Sequence, residues 1–171
     1  MSVAFTNVSE SVDTAPRRAP QPAPPPRRVV PTQTEMASWR SFLRAHAAIT
    51  KALEAELEIE QQLSLAAYDV LVQLSEARDH RLRMTELADA VLLSRSGVTR
   101  LVDRLEKVGL VARSRVVDDG RGVAAELTEQ GLNRLRVAAT THLRGIRDHF
   151  AAHLDAADLA DLERVTRKLG Q

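Results

Sequence analysis

The sequence predicts a mainly α protein: a winged helix-turn-helix with a two-stranded β wing, flanked by N- and C-terminal dimerisation helices. Three observations predict it. Aliphatic residues recur at helical spacing along most of the chain, aromatic residues make up only 3% of it, and one short stretch after Gly109 switches to strand-turn-strand chemistry.

The first 33 residues stand apart. All seven prolines fall within the first 31 positions, together with the pairs Arg17-Arg18 and Arg27-Arg28. Such a stretch has too little apolar surface to offset its ordering entropy, so residues 1–33 are expected to form a disordered tail. From Glu35, the residues Trp39, Phe42, Leu43, Ile49, Leu53 and Leu57 mark one apolar stripe of a long helix reaching about Glu60. Residues 34–62 are therefore expected to be an N-terminal dimerisation helix. Ser64 then caps a second helix, carried by Leu65, Tyr68, Leu71, Val72 and Leu74, that ends near Ala77.

After the charged turn RDHRLR come two short helical patterns separated by Val91-Leu92-Leu93, with Thr85 and Ser94 as their N-caps. Gly109 stops the second of these helices, and Leu110-Val111 restarts as a strand. RSRVV, DDGRG and VAAEL read as strand, turn and strand, which makes the wing. A DNA-binding domain over residues 63–127 follows. Thr128 caps a further helix bearing Leu132, Leu135, Ala139, Leu143, Ile146 and Phe150, and Asp155 caps a last one bearing Leu159, Leu162, Val165 and Leu169. Residues 128–171 are expected to complete a symmetric dimer, because these stripes are longer than the small central module can cover.

Composition removes several functions. With 44% hydrophobic and 27% charged residues, the balance is that of an ordinary globular chain. There is no cysteine, which excludes disulfides, thiolate metal sites and thiol redox sensing. No run of about 18 apolar residues occurs and no signal-peptide core is seen, so a cytoplasmic protein without membrane contact is expected. No Gly-rich phosphate loop or nucleophilic constellation is present, so an enzyme is not expected. His149 and His153 have i, i+4 spacing compatible with one metal, but no thiol and only scattered carboxylates accompany them. With His142 they are read as packing or solvated histidines, and no metal or cofactor is expected.

The charge distribution points to nucleic acid. Net charge is +1 overall, yet residues 36–80 carry four Lys/Arg against seven Asp/Glu while residues 81–121 carry nine against six. In the segment 94–107, Val98, Leu101, Leu105 and Val108 share one face, and Ser94, Arg95, Ser96, Thr99, Arg100 and Arg104 occupy the others. Short hydroxyl side chains let a helix N-terminus approach phosphate, and arginine reads guanine bidentately. Ser96, Thr99 and Arg100 are the expected base contacts. Arginines on a helix face also serve simply for solvation. Position decides between the two: this helix follows a helix-turn unit and precedes a wing whose tip carries Arg121 between two glycines, where it can reach a minor groove. Asp119 is placed to hold that guanidinium extended.

These residues resemble the MarR family of bacterial regulators. ELADAVLLSRSGVTRLVDRLEKVGLV looks like its helix-turn-helix, and DDGRGVAAELTEQG like its Asp-x-Arg wing followed by Leu-Thr-x-x-Gly. The resemblance spans about residues 36–169. It implies a homodimer with interlocked terminal helices that binds a pseudo-palindromic double-stranded operator, most often as a repressor. By position, Ser94, Arg95, Ser96, Thr99 and Arg100 match the recognition helix and Arg121 the minor-groove arginine; Arg113 and Arg115 at the wing base are expected to contact phosphate.

The resemblance also implies a small aromatic or phenolic effector between the dimerisation helices and the DNA module. Trp39, Phe42, His46 and Tyr68 are the residues that would line its pocket, although each also sits on an apolar stripe where core packing explains it. A second reading of the whole chain is a dimeric winged-helix module that binds protein without sequence-specific DNA binding.

Overall fold

A computed structural model describes residues 30–91, 93–115 and 122–170. Most of the expected tail, and the wing-tip residues Asp119 and Arg121, lie outside the described residues. In order, the elements are α1 (Gln33–Gln61), α2 (Leu65–Glu76), β1 (Arg81–Arg83), α3 (Met84–Ala90), α4 (Arg95–Lys107), β2 (Val111–Arg115), β3 (Val123–Leu127), α5 (Glu129–His149) and α6 (Ala156–Arg167). The chain is mainly helical with one small antiparallel sheet, the arrangement of a winged helix.

The helix starts follow local hydrogen bonding. Ser64, Ser94, Thr128 and Asp155 each accept backbone N–H groups of the first turn that follows, from Ala67, Gly97, Gly131, and Ala157 with Asp158, which satisfies donors the helix itself cannot. Thr32 does the same for α1, and Glu35 reaches back to the Thr32 N–H. Thr85 is not a cap. Helix α3 begins one residue before it, directly out of β1, and the Glu86 carboxylate takes the Arg83 N–H at 2.9 Å.

The charged turn after α2 is more structured than expected. Arg78–His80 form a single 3₁₀ turn with Asp79 and His80 at φ of 56° and 53°, and Arg81–Arg83 then pair with β3, placing Leu82 opposite Ala125. The sheet therefore has three strands in the order β1-β3-β2 rather than two. A three-residue strand of alternating Arg and Leu is too short to announce itself by periodicity. In the wing hairpin, Val111 faces Leu127 and Arg113 faces Ala125.

One core joins these elements. Val70, Leu71 and Leu74 of α2 meet Leu87 of α3, Val98 and Val102 of α4, and Val111 and Ala125 of the sheet, all essentially inaccessible. Leu57 of α1 and Ala138 of α5 extend the same core into the terminal helices. A polar seam along α1 and α5 runs beside it: Gln61 Nε2 donates to Thr141 Oγ1 at 2.9 Å, Arg144 pairs with Glu60 at 2.5 Å, and His149 with Glu56 at 2.6 Å. The last contact gives His149 a protein partner. His153 is not on its helix, because α5 ends at His149 and Ala151–His153 form a separate 3₁₀ turn, so the i, i+4 spacing carries no helical geometry.

Candidate nucleic-acid interface

Helix α4 divides cleanly as far as Leu105, whereas Val108, expected on the apolar face, caps the helix end and is 58% exposed. Val98, Leu101, Val102 and Leu105 are buried, while Ser94, Arg95, Ser96, Thr99, Arg100 and Arg104 are exposed. This separation follows from the 3.6-residue repeat, which sets the two groups on opposite sides of one helix. Ser94 Oγ accepts the Gly97 N–H at 3.1 Å and lies 3.3 Å from Ser96 Oγ, so both hydroxyls gather at the positive end of the helix dipole. Thr99 Oγ1 donates to the Arg95 carbonyl at 2.9 Å, and the residue is exposed. Arg95 and Arg100 have no side-chain partner among the described residues and present whole guanidinium edges to solvent.

The wing base behaves differently from its sequence expectation. Arg113 is half-buried, and its guanidinium contacts Asp103 at 2.6 Å and Glu106 at 2.7 Å. It also donates to the Thr99 carbonyl at 3.3 Å, and its backbone N–H donates to Glu106 at 3.2 Å. Burial acts against its charge, but the hydrogen bonds and charges of Asp103 and Glu106 outweigh that and hold the guanidinium pKa above its ordinary value. Arg113 is thus paired within the fold, where it braces β2 against α4. Arg115 is exposed, and its carbonyl accepts a 2.7 Å hydrogen bond from Arg81. Sequence reasoning missed Arg81, which β1 carries to the wing base, and the paired carboxylates of Asp103 and Glu106. Their i, i+3 spacing on α4 was the available signal for a shared cationic partner. Arg104 lines a surface groove together with Arg100 one turn before it, and also the wall of a cavity of about 720 Å³ with Gln130 and Arg134 of α5.

A second cavity, of about 580 Å³, opens between α1, α2 and α5. His46 and Tyr68 line it together with Thr50, Glu54, Asp69, Val72 and His142. Trp39 and Phe42 do not. They stack on each other at 6.1 Å between centroids, both substantially exposed, and Phe42 in turn lies 6.4 Å from His46. The Tyr68 and His142 rings meet at 4.4 Å. Burial pushes the Asp69 carboxyl and the Tyr68 hydroxyl up and the His142 imidazole down, each toward its neutral form.

An exposed Ser/Arg/Thr face on a capped helix, braced to a β hairpin, defines a winged helix-turn-helix protein of the nucleic-acid-binding kind. Residues 61–122 match the MarR family. The chain is similar to AbsC, a MarR family transcriptional regulator from Streptomyces coelicolor, at 34% identity and a TM-score of 0.76, over 84% of this chain and 96% of that one. It is similar to Sco3205 of the same family and organism, solved in complex with DNA, at 32% identity and a TM-score of 0.77, over 84% of this chain and 90% of that one. Among curated proteins, it is 36% identical over 84 residues to the HTH-type transcriptional repressor YetL of Bacillus subtilis strain 168, covering 49% of this chain. The matched segment spans half the length of that relative. The chain belongs to the MarR family of transcriptional regulators.

Proposed function

We propose that this protein is a transcriptional repressor that binds a pseudo-palindromic double-stranded DNA operator as a homodimer. The observation that carries the proposal is the outward face of α4, where Ser94, Arg95, Ser96, Thr99 and Arg100 gather around a helix N-terminus, with the Arg95 and Arg100 guanidinium groups unpaired among the described residues. Inserted end-on into the major groove, that face offers hydroxyls to phosphate and Arg100 to a guanine edge. Arg121 at the wing tip, supported by Asp119, enters the adjacent minor groove, and Arg115 meets the backbone between them. Residues 34–62 and 128–171 form the dimer, and 63–127 the DNA module; the site of action is the cytoplasm, where the operator is. Among the described residues, no helix is long and apolar enough to cross a membrane.

The cavity between α1, α2 and α5 is the effector site in this reading. It touches both the dimerisation helices and the DNA module, so an occupant changes the spacing of the two recognition helices for a few kcal/mol of differential binding. Gel-shift titration with DNA from upstream of the protein's own gene tests the proposal. A specific, salt-sensitive complex at submicromolar protein is expected, and Arg100→Ala should weaken it about 10- to 100-fold, corresponding to roughly 1–3 kcal/mol. Unchanged DNA affinity in Arg100→Ala, with a protein partner lost instead, would support the interaction-module reading.

A further inference from the structure

We infer that the cavity between α1, α2 and α5 selects an amphipathic organic cation, a protonated amine carrying an apolar ring, over an aromatic acid of the same size. The inference rests on the reading of this cavity as an effector site and adds the ligand's charge.

The wall carries the carboxyl groups of Glu54 and Asp69 and the imidazoles of His46 and His142, with no Lys or Arg among its lining residues. Glu54 is already oriented, because one of its oxygens accepts the Leu65 N–H at 2.7 Å. Asp69 is half-buried and faces His142 across the cavity side of α2 and α5. Burial raises the Asp69 carboxyl pKa, against the Gln73 hydrogen bond and the His142 charge that favour the carboxylate, and an entering ligand carboxylate would add a further anion beside Glu54 and Asp69 with no Lys or Arg on the wall to meet it. Burial likewise keeps His142 from acting as the compensating cation. An ammonium group offsets the burial penalty at Asp69: it draws Asp69 into its carboxylate form and forms a charge-assisted hydrogen bond with it. The His142 Nδ1 is buried with no hydrogen-bond partner, so the wall retains an unmet polar atom. Tyr68, itself buried, packs against the same imidazole at 4.4 Å, so the wall there is aromatic. Val72 supplies apolar wall, and about 580 Å³ suits a two-ring molecule.

The test is calorimetric titration of the full-length protein at neutral pH, without DNA, using three matched probes: 2-(1-naphthyl)ethylamine, 2-(1-naphthyl)ethanol and 3-(1-naphthyl)propanoate. The amine is expected to bind at least about tenfold more tightly than the propanoate, with the alcohol between them. Asp69→Asn should bring amine and propanoate within about threefold of each other. A propanoate that binds as tightly as the amine, no binding of any probe below about 1 mM, or a preference that survives Asp69→Asn in a folded variant would overturn the proposal. If Asp69→Asn does not fold, the wild-type series decides alone. Operator binding is measured separately with no amine present, so failure of the DNA-binding reading and failure of this one are told apart.

Discussion

Arg113 joins the wing to the recognition helix through two carboxylates. A guanidinium between two carboxylates forms strong, charge-assisted contacts, and moving it to phosphate would strand Asp103 and Glu106 beside a polyanion. We propose that its contribution to DNA binding is to fix the angle between wing and recognition helix. Arg113→Ala is expected to lower stability by about 1–2 kcal/mol and to weaken operator binding while leaving the salt slope unchanged, since no phosphate contact is lost. Equilibrium denaturation and salt titration check this together. His142 makes a second prediction. Its pKa in the folded chain lies below the ordinary value of about 6.5, so the stability from the neutral imidazole is complete above that value and is lost as pH falls through the lowered one. Asp69, raised by burial, changes in the opposite sense on acidification. Comparing melting temperatures at pH 7.5 and 5.5 between wild type and His142→Gln isolates the histidine: wild type should lose more on acidification. Equal losses would remove His142 as the cause.

At the scale of elements, the joint between wing and α5 is a close approach of two backbones. Gly109 adopts φ of +75°, ending α4 in the left-handed region. Thr128 Oγ1 donates to the Gly109 carbonyl at 2.7 Å and accepts the Gly131 N–H at 2.9 Å. A Cβ on Gly131 would sit 2.0 Å from the Leu110 carbonyl oxygen. The Leu-Thr-x-x-Gly pattern is thus a packing requirement: one hydroxyl ties α5 to the end of α4, and one glycine lets it approach. Gly131→Ala is expected to destabilise the fold by about 1–3 kcal/mol or more, read from urea denaturation, despite alanine's better helix propensity. Much of this scale was legible in the sequence, since Ser64, Ser94, Thr128 and Asp155 are caps with a local mechanism and the α4 stripe has an unbroken period. What was not legible depended on long-range pairing. Strand β1 exists only because β3 is beside it, and α3 starts before Thr85 because that strand feeds it. Asp69 and His142, 73 positions apart in the sequence, share a cavity only once α2 and α5 have packed. Trp39 and Phe42 were correctly placed on a stripe, but nothing local showed that the stripe leads away from the cavity.

The whole molecule leaves apolar surface uncovered at both ends. Trp39, Phe42 and Leu43 on α1 and Leu159, Leu162, Val165 and Leu169 on or just after α6 are all exposed in the single chain. Surface of this kind on two terminal helices is the expected seat of a symmetric partner. Replacing Leu162 and Val165 together with Glu should shift the protein from dimer to monomer in light scattering and reduce operator affinity far more than either loss of a single phosphate contact would, because each half-site alone binds weakly. A double variant that remains dimeric would move the interface elsewhere. In such a dimer two copies of α4 meet two related half-sites. Selection of DNA by the purified protein from a random library, followed by sequencing, reads this out. An enriched inverted repeat with half-site centres about one helical turn, roughly 10 bp, apart is expected; enrichment of no motif, or of a single unrepeated half-site, would overturn the paired reading.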